Sequence, residues 1–181
     1  MNYSCLMNRP LIIFSFLLLV LLAVSCKSKK GTTVSKKKEH TRKEREYKNL
    51  SKKLNLEVDH YDNVRLYSFV ADWLGAPHQM GKCTKIGVDC SCFIQLIYEE
   101  VYSRKIPRSS REMFETSIKL TTEELKEGDL IFFNIKTTQV SHVAVYLKDG
   151  WFAHVSTSKG VMINNLSEKY YKQYYMGGGR F

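Results

Sequence analysis

The chain has 181 residues, 44% of them hydrophobic, and carries 28 Lys and Arg against 18 Asp and Glu, for a formal net charge of +10. This length suits one domain with a hydrophobic core and additional segments. The positive charge is concentrated near the N-terminus: residues 27–65 carry 13 Lys and Arg against 6 Asp and Glu, whereas residues 66–181 carry 14 against 12. Because the C-terminal part is nearly neutral, the composition argues against a nucleic-acid-binding domain.

Residues 1–25 are typical of a signal peptide. Arg9 precedes an apolar run of 14 residues, Leu11–Val24, which is shorter than the ~18 residues expected of a membrane-spanning helix. The sequence Leu-Ala-Val-Ser-Cys then ends at Cys26 and resembles a bacterial lipobox, whose cysteine becomes the lipidated first residue. Ordinary cleavage after the small-x-small sequence at residues 23–25 is the alternative. We expect a lipid anchor on Cys26 that holds the protein on a membrane of the bacterial envelope, facing the periplasm or the exterior.

Residues 26–62 are predicted to form a basic, flexible tether, with helical patches around residues 42–54. Lys, Ser, Thr and Glu dominate this segment, and few large apolar residues occur before Leu50. Two explanations of its charge remain open: attraction to anionic lipid headgroups or wall polymers, and simple solvation of a linker. The folded domain is predicted at residues 63–181.

Hydrophobic periodicity in residues 63–181 predicts helices first and strands afterwards. A helical pattern from Val64 ends before Gly75 and Pro77; a second helix starts near Cys90, and a short third helix follows Pro107. Later runs have strand character, at residues 130–135, 142–147, 151–155, 160–164 and 174–176. Helices followed by an antiparallel meander indicate an α+β fold.

Cys90 is a candidate nucleophile because of its place in its helix. Asp89 is a good N-cap residue, and Phe93, Ile94 and Ile97 recur at helical spacing behind it. The free N–H groups and the dipole at a helix N-terminus are expected to lower the pKa of a thiol there. A nucleophilic cysteine also needs a base and a residue that orients the base.

His142 and His154 are the candidates for these two roles. A three-residue hairpin loop at residues 148–150 would pair Ala144 with His154, which places both histidines on one face as diagonal neighbours. A two-residue loop would put them on opposite faces. Gly150 stands where the longer loop needs a left-handed residue, so the spacing permits a Cys-His-His site.

The remaining cysteines allow further predictions. Cys5 is removed with the signal peptide, and Cys26 is expected to carry the lipid. Cys83, Cys90 and Cys92 remain, and one of these three is expected to be free. Cys83 is either a loop thiol or a disulfide partner, and Cys92 is expected to face the core with little functional role. A metal site is disfavoured because Cys90 and Cys92 lie about 200° apart around a helix.

Six short motifs resemble those of the NlpC family (the NlpC and p60 group) of cell-wall cysteine peptidases and occur in the family's order. The resemblance covers about residues 64–181 and implies a papain-like α+β fold, in which the nucleophile helix packs on an antiparallel sheet. Several members are small lipoproteins with this one domain. The motifs are Leu74-Gly-Ala-Pro77, Gly87-Val-Asp-Cys-Ser91, Pro107-Arg-Ser109, Glu127-Gly-Asp-Leu-Ile-Phe-Phe133, Ser141-His-Val-Ala-Val-Tyr146 and Phe152-Ala-His-Val-Ser156.

The resemblance also implies roles for individual residues. Cys90 matches the family's nucleophile, His142 its general base and His154 the polar residue that orients the base. The family usually has an oxyanion-hole tyrosine where this chain has His78, and an imidazole N–H can also donate to an oxyanion. The residues expected to contact substrate are Asp89, Ser91, Arg108 and Ser109.

The implied function is that of a lipid-anchored, monomeric peptidoglycan endopeptidase. It would cleave stem peptides at the bond between D-glutamate and the diamino acid, with no metal or organic cofactor and no nucleic-acid partner. An amidase or acyl-transfer enzyme with the same dyad is one alternative. A non-catalytic wall-binding lipoprotein is another, because His78 and Lys82 depart from the family pattern.

Overall fold

The computed structural model describes residues 30–181, with side chains described from residue 36 onward. The predicted signal peptide and the predicted lipidation site, Cys26, lie outside the described residues. The chain divides between Glu44 and Arg45 into two units. In the described part of the first unit, exposed residues of helix α1 (Lys30–Leu54) include an ion pair of Glu39 with Lys43. None of the helices within residues 30–181 is long and apolar enough to cross a membrane.

The second unit, residues 45–181, contains the end of α1, four further helices and eight strands. The helices after α1 are α2 (Val64–Trp73), α3 (Cys90–Tyr102), α4 (Ser110–Thr116) and α5 (Lys169–Tyr174). The strands are β1 (Cys83–Thr84), β2 (Gly87–Val88), β3 (Ile118–Leu120), β4 (Leu130–Phe133), β5 (His142–Tyr146), β6 (Trp151–Ser156), β7 (Gly160–Asn165) and β8 (Tyr175–Arg180).

Six of these strands form one antiparallel sheet in the order β3-β8-β4-β5-β6-β7, and β1 and β2 form a separate hairpin. The predicted α+β order is confirmed. The predicted meander holds for β4 to β7, whereas the last strand, β8, inserts between β3 and β4.

Alternate residues of the central strands pack on opposite faces of the sheet, as the two-residue period of a strand requires. Val143 and Val145 of β5 belong to the main hydrophobic cluster, together with Phe93 and Ile94 of α3. A smaller cluster contains Ala144 of β5, with a set of mostly aromatic residues: Phe133, Phe152 and Tyr171. The helix that begins at Cys90 therefore packs on the sheet that carries both histidines.

The folded unit begins earlier than predicted, so the flexible tether assigned to residues 26–62 is wrong for residues 45–62. Leu50, Leu54, Leu56 and Val58 are buried in the main hydrophobic cluster with α2 and α3. Leu50 and Leu54 are four residues apart and share one face of α1. The many lysines around them mask this short apolar stripe in the sequence.

The hairpin of β5 and β6 has the predicted three-residue connection. Val145 pairs with Ala153, and the loop closes with Trp151 N donating to Lys148 O at 2.7 Å. Gly150 has φ of 81° in this loop, a conformation that glycine adopts without steric cost. This register carries His142 and His154 on the same face of the sheet.

We expect Leu54→Ala to lower the free energy of unfolding by about 2–5 kcal/mol, the usual cost of deleting a buried leucine side chain. Urea denaturation followed by circular dichroism measures this change. Lys53→Ala is the control, because Lys53 is an exposed neighbour on the same turn. Equal midpoints for the two variants would contradict the packing of this helix on the domain.

Candidate active site

The first turn of α3 places Cys90 beside β5, an interior strand of the sheet. Asp89 caps the helix, since its Oδ1 accepts a hydrogen bond from Cys92 N at 2.7 Å. Cys90 is the first helical residue, and the backbone N–H of Val143 lies against its thiol. Val143 directly follows His142 on β5, so the thiol lies beside the base predicted for it. No hydrogen bond joins the described Cys90 and His142 side chains, and hydrogen bonds between a nucleophile and its base often form only when substrate binds.

The buried carboxylate of Asp89 fixes the surroundings of Cys90. Arg108 donates to both of its oxygens, at 3.0 and 2.5 Å. Gly81 N donates to Oδ2 at 2.9 Å, and Ser91 Oγ to Oδ1 at 3.0 Å. Burial alone would raise the pKa of Asp89, but the hydrogen bonds, first of all that from Arg108, hold this pKa below its ordinary value. One ionised carboxylate thus joins the helix start to the preceding loop and to Arg108.

The expectation of a lowered thiol pKa is wrong for Cys90. Burial raises the pKa of the thiol, and the charge of Asp89 raises it further, against hydrogen bonds from backbone N–H groups that lower it. Desolvation of the thiolate therefore outweighs the favourable position at the helix N-terminus. The raised pKa favours the neutral thiol of Cys90 at neutral pH.

His142 and His154 form a direct pair on one face of the sheet. The distance between His142 Nε2 and His154 Nδ1 is 3.0 Å, and the two rings are perpendicular. His142 is 9% exposed and His154 is 3% exposed. The prediction that both histidines lie on one face is confirmed, and Nδ1 of His142 is left as the ring nitrogen that can take a proton from a nucleophile.

Both histidines are neutral at physiological pH. Burial, followed by the influence of His154 and then of His78, lowers the pKa of His142 to about 3. Burial also lowers the pKa of His154, although its hydrogen bond with Asn164 opposes the change. A neutral His142 is the form that accepts a proton, so the site is equipped for general-base catalysis.

His78 approaches this site from the loop before α3, as predicted, because its imidazole lies close enough to His142 to depress its pKa. The loop is held by backbone bonds on both sides: Val88 N donates to Pro77 O at 3.0 Å, and Val161 N donates to Ala76 O at 2.9 Å. His78 itself forms an isolated parallel bridge with Val88. The loop thus lies between the start of α3 and β7.

Sequence reasoning missed three residues behind His154. His154 Nε2 lies 2.9 Å from Asn164 Oδ1 and 3.0 Å from the hydroxyl of Tyr171. Asn164 in turn contacts Glu168 through its side-chain amide. The ladder of β6 and β7 pairs His154 with Met162, which makes Asn164 a diagonal neighbour of His154 on the same face. This pairing depends on the turn between the strands, and the sequence of that turn is not diagnostic of its length.

A disulfide joins Cys83 of β1 to Cys92 of α3. Cys92 is buried, as expected, but the expectation that it contributes little is wrong, because its sulfur links the β1–β2 hairpin to the nucleophile helix. Cys90 is the free cysteine among the described residues. That one of the three stays free is therefore confirmed.

The four residues expected to contact substrate differ in burial and in their hydrogen bonds. Asp89 and Ser91 are buried and bonded to each other, whereas the guanidinium of Arg108 is partly exposed. Ser109 caps α4 by accepting a hydrogen bond from Glu112 N at 3.2 Å. Within the part of the chain that the structure describes, no group of three or more His, Cys, Asp and Glu side chains could hold a metal ion.

We expect alkylation of Cys90 by iodoacetamide to be slow at neutral pH and to keep accelerating above about pH 9, because burial raises the pKa of this thiol. A raised pKa lowers the thiolate fraction at every pH below it. Mass spectrometry of the peptide that contains Cys90, over a pH series, gives the rate. A plateau at neutral pH would instead indicate a thiolate–imidazolium pair with His142.

Comparison with known proteins gives consistent matches. Residues 75–180 match the sequence profile of the NlpC/P60 family. A probable endopeptidase NlpC homolog of Haemophilus influenzae is 41% identical over 110 residues, which cover 61% of this chain and 58% of that protein. A murein DD-endopeptidase/murein LD-carboxypeptidase, MepS of Escherichia coli K12, is 37% identical over 111 residues, with coverage of 61% and 58%. The match thus spans little more than half the length of these relatives.

The fold agrees with solved structures of the same group. An NlpC/P60 family protein from Bacillus cereus superimposes with a TM-score of 0.59 at 32% identity, covering 65% of this chain and 39% of that one. Its fold and that of its relatives support the predicted papain-like arrangement of a nucleophile helix on an antiparallel sheet. With the Cys90 helix, the paired histidines and the profile match over residues 75–180, the chain belongs to the NlpC/P60 family.

Proposed function

We propose that this protein is a peptidoglycan endopeptidase that hydrolyses stem peptides by thiol catalysis, acting as a monomer. The observation that carries the proposal is the pair of neutral, buried imidazoles, 3.0 Å apart, beside the free thiol of Cys90 at a helix start. The names of the relatives, a probable endopeptidase and a murein endopeptidase, support a wall peptide as substrate.

The hydrogen bonds of the site support a route for each proton in the proposed reaction. Cys90 Sγ attacks the carbonyl carbon of the scissile amide while His142 Nδ1 takes the thiol proton. The imidazolium is stabilised by its hydrogen bond to His154 and gives the proton to the leaving amine. A water molecule then attacks the thioester carbon while His142 Nδ1 takes its proton. The carbon–sulfur bond breaks, the carboxylic acid product leaves, and His142 returns the proton to Cys90 Sγ, which regenerates the thiol.

The developing oxyanion requires donors on the opposite side of the carbonyl. We propose that His78 and the backbone N–H groups at the start of α3 supply these donors. We propose that the exposed part of the Arg108 guanidinium, which is ion-paired with Asp89, contacts a carboxylate of the stem peptide. Asp89 and Ser91 contribute by holding Arg108 and the loop at Gly81 in place. Ser109 contributes by capping α4, where its hydroxyl accepts a hydrogen bond from Glu112 N.

Two bonds in the wall are candidates for cleavage. The family resemblance favours the bond between D-glutamate and the diamino acid, and one relative, from Bacillus subtilis at 32% identity, is named a gamma-DL-glutamyl hydrolase. Two others, from Escherichia coli K12 at 37% and 32% identity, are named murein DD-endopeptidases. We propose the D-glutamyl bond as the primary target.

Purified muropeptides separate these possibilities. Incubation of the full chain with uncrosslinked tetrapeptide muropeptides should release a fragment that begins with the diamino acid, detected by mass spectrometry. Crosslinked dimers converted only to monomers would show cleavage of the D–D crosslink instead. Binding to muropeptides with no cleavage of either kind would overturn the enzymatic proposal in favour of a wall-binding protein.

We expect Cys90→Ala to abolish hydrolysis without unfolding the domain, because the alanine loses the nucleophile and little packing. His142→Ala should lower kcat by ~10²–10⁴-fold, the usual worth of a general base. His154→Ala should have a smaller effect, because water can partly replace an orienting group. His60→Ala is the control, since His60 is exposed. Near-wild-type turnover of Cys90→Ala would remove the catalytic assignment.

We propose further that Cys26 is lipidated and anchors the protein in the bacterial envelope. A diacylglyceryl group with an additional N-acyl chain exceeds the two hydrophobic signals that stable anchoring requires. Cys26→Ser is therefore expected to move the protein from the membrane fraction to the soluble fraction or to block its maturation. An intact mass that shows an unmodified N-terminus in the wild-type protein would contradict this proposal.

A further inference from the structure

A polar cluster that no sequence motif marks lies directly behind the histidine pair. It consists of Asn164 on β7, Glu168 at the start of α5 and Tyr171 on α5, and it contacts His154 on the side opposite His142. The carboxylate of Glu168 only accepts hydrogen bonds, and the amide of Asn164 has one accepting and one donating end, so these groups determine where the protons lie.

The orientation of the Asn164 side chain is fixed by Glu168. The Glu168 carboxylate is an acceptor only, and its Oε1 and Oε2 lie 3.0 and 2.9 Å from Asn164 Nδ2. Glu168 Oε1 also accepts from the backbone N–H of Asn165 at 2.8 Å. The amide nitrogen of Asn164 must therefore face Glu168, which leaves its carbonyl Oδ1 facing His154.

The orientation of Asn164 determines where His154 carries its proton. Asn164 Oδ1 is an acceptor and lies 2.9 Å from His154 Nε2, so Nε2 must carry the hydrogen. The Tyr171 hydroxyl fits the same arrangement: it donates to Asn164 Oδ1 at 3.1 Å and accepts from His154 Nε2–H at 3.0 Å. With Nε2 protonated, neutral His154 has a bare Nδ1.

The bare Nδ1 of His154 then requires a donor on His142. Because these atoms are 3.0 Å apart, His142 must carry its proton on Nε2, which leaves a lone pair on Nδ1. Nδ1 is the nitrogen that takes the proton from Cys90 in the proposed mechanism. In the opposite tautomer Nδ1 would carry a hydrogen, and His142 could not act as a base toward the thiol.

We infer that Asn164, held by Glu168 and Tyr171, is a positioning residue that selects the productive tautomer of His142 through His154. The mechanistic consequence rests on the proposed thiol hydrolysis, whereas the tautomer itself can be measured without any turnover. None of the three residues of the cluster needs to touch substrate. Their effect on catalysis passes through two hydrogen bonds in series, from Asn164 to His154 and from His154 to His142.

Substitutions at Glu168 test the inference because this side chain is exposed and its replacement should leave the fold intact. Glu168→Gln should keep the productive arrangement, since the Asn165 N–H holds the glutamine carbonyl where it also accepts from Asn164 Nδ2. Glu168→Ala has the same charge as Glu168→Gln but no acceptor. Glu168→Lys presents donors only, so the Asn164 amide should turn over and offer its NH2 group to His154 Nε2.

Long-range 1H–15N NMR spectra of the full chain report which nitrogen of each histidine carries a proton. Wild type and Glu168→Gln should show His142 protonated on Nε2, Glu168→Ala a mixture, and Glu168→Lys mainly the Nδ1–H form. With muropeptide substrate, kcat should fall by about 10–100-fold in Glu168→Lys, the range found for residues that orient ligating histidines. KM should be unchanged, and kcat of Glu168→Ala should lie between those of Glu168→Lys and Glu168→Gln.

Ser167→Lys is the charge control, because it adds a cation at the neighbouring exposed position without offering a donor in place of Glu168. It should resemble wild type in both measurements. A wild-type spectrum with His142 protonated on Nδ1, or an unchanged tautomer in both Glu168→Lys and Glu168→Ala, would overturn the inference. Absence of hydrolysis in every variant and in wild type, with the expected spectra, would overturn the proposed function alone.

Discussion

A hydrogen bond between two neutral, buried imidazoles governs the candidate active site. Burial keeps both His142 and His154 neutral, with one N–H on each ring, so one ring must donate and the other must accept across their 3.0 Å contact. The choice between the two arrangements decides whether His142 presents a lone pair or a hydrogen to Cys90. The rest of the site, from the hairpin that aligns the rings to the Asn164 amide behind them, determines this choice.

The surroundings of Cys90 depend on a different group, the carboxylate of Asp89. Removing such a carboxylate from water is costly unless its oxygens are fully hydrogen-bonded, and Arg108, Ser91, Cys92 and Gly81 supply the donors. An N-cap that would ordinarily contribute only to helix stability therefore also joins the helix to two loops. The disulfide of Cys83 with Cys92 reinforces the same junction.

The sequence was sufficient for what depends on local pattern. The helix at Cys90, the four-strand meander and the three-residue loop at Gly150 follow from periodicity, capping and turn chemistry, and the loop length alone placed both histidines on one face. Predictions failed where distant chain segments determine the result. Strand β8 lies beside β4 and contains Gly177, Gly178 and Gly179, a run that local propensity assigns to a loop. The fold nevertheless requires glycine there, because Gly179 has no room for a side chain beside Ser117 and Phe132.

The thiol pKa is the most instructive failure, because the local argument was physically sound and still gave the wrong sign. The backbone N–H groups at the helix N-terminus do favour a thiolate, but burial desolvates Cys90, and desolvation is the larger effect. A neutral thiol beside a neutral imidazole has no ion pair to stabilise it at rest. In the proposed mechanism proton transfer therefore accompanies attack on the carbonyl, so the position of the lone pair on His142 matters more than it would with a preformed thiolate.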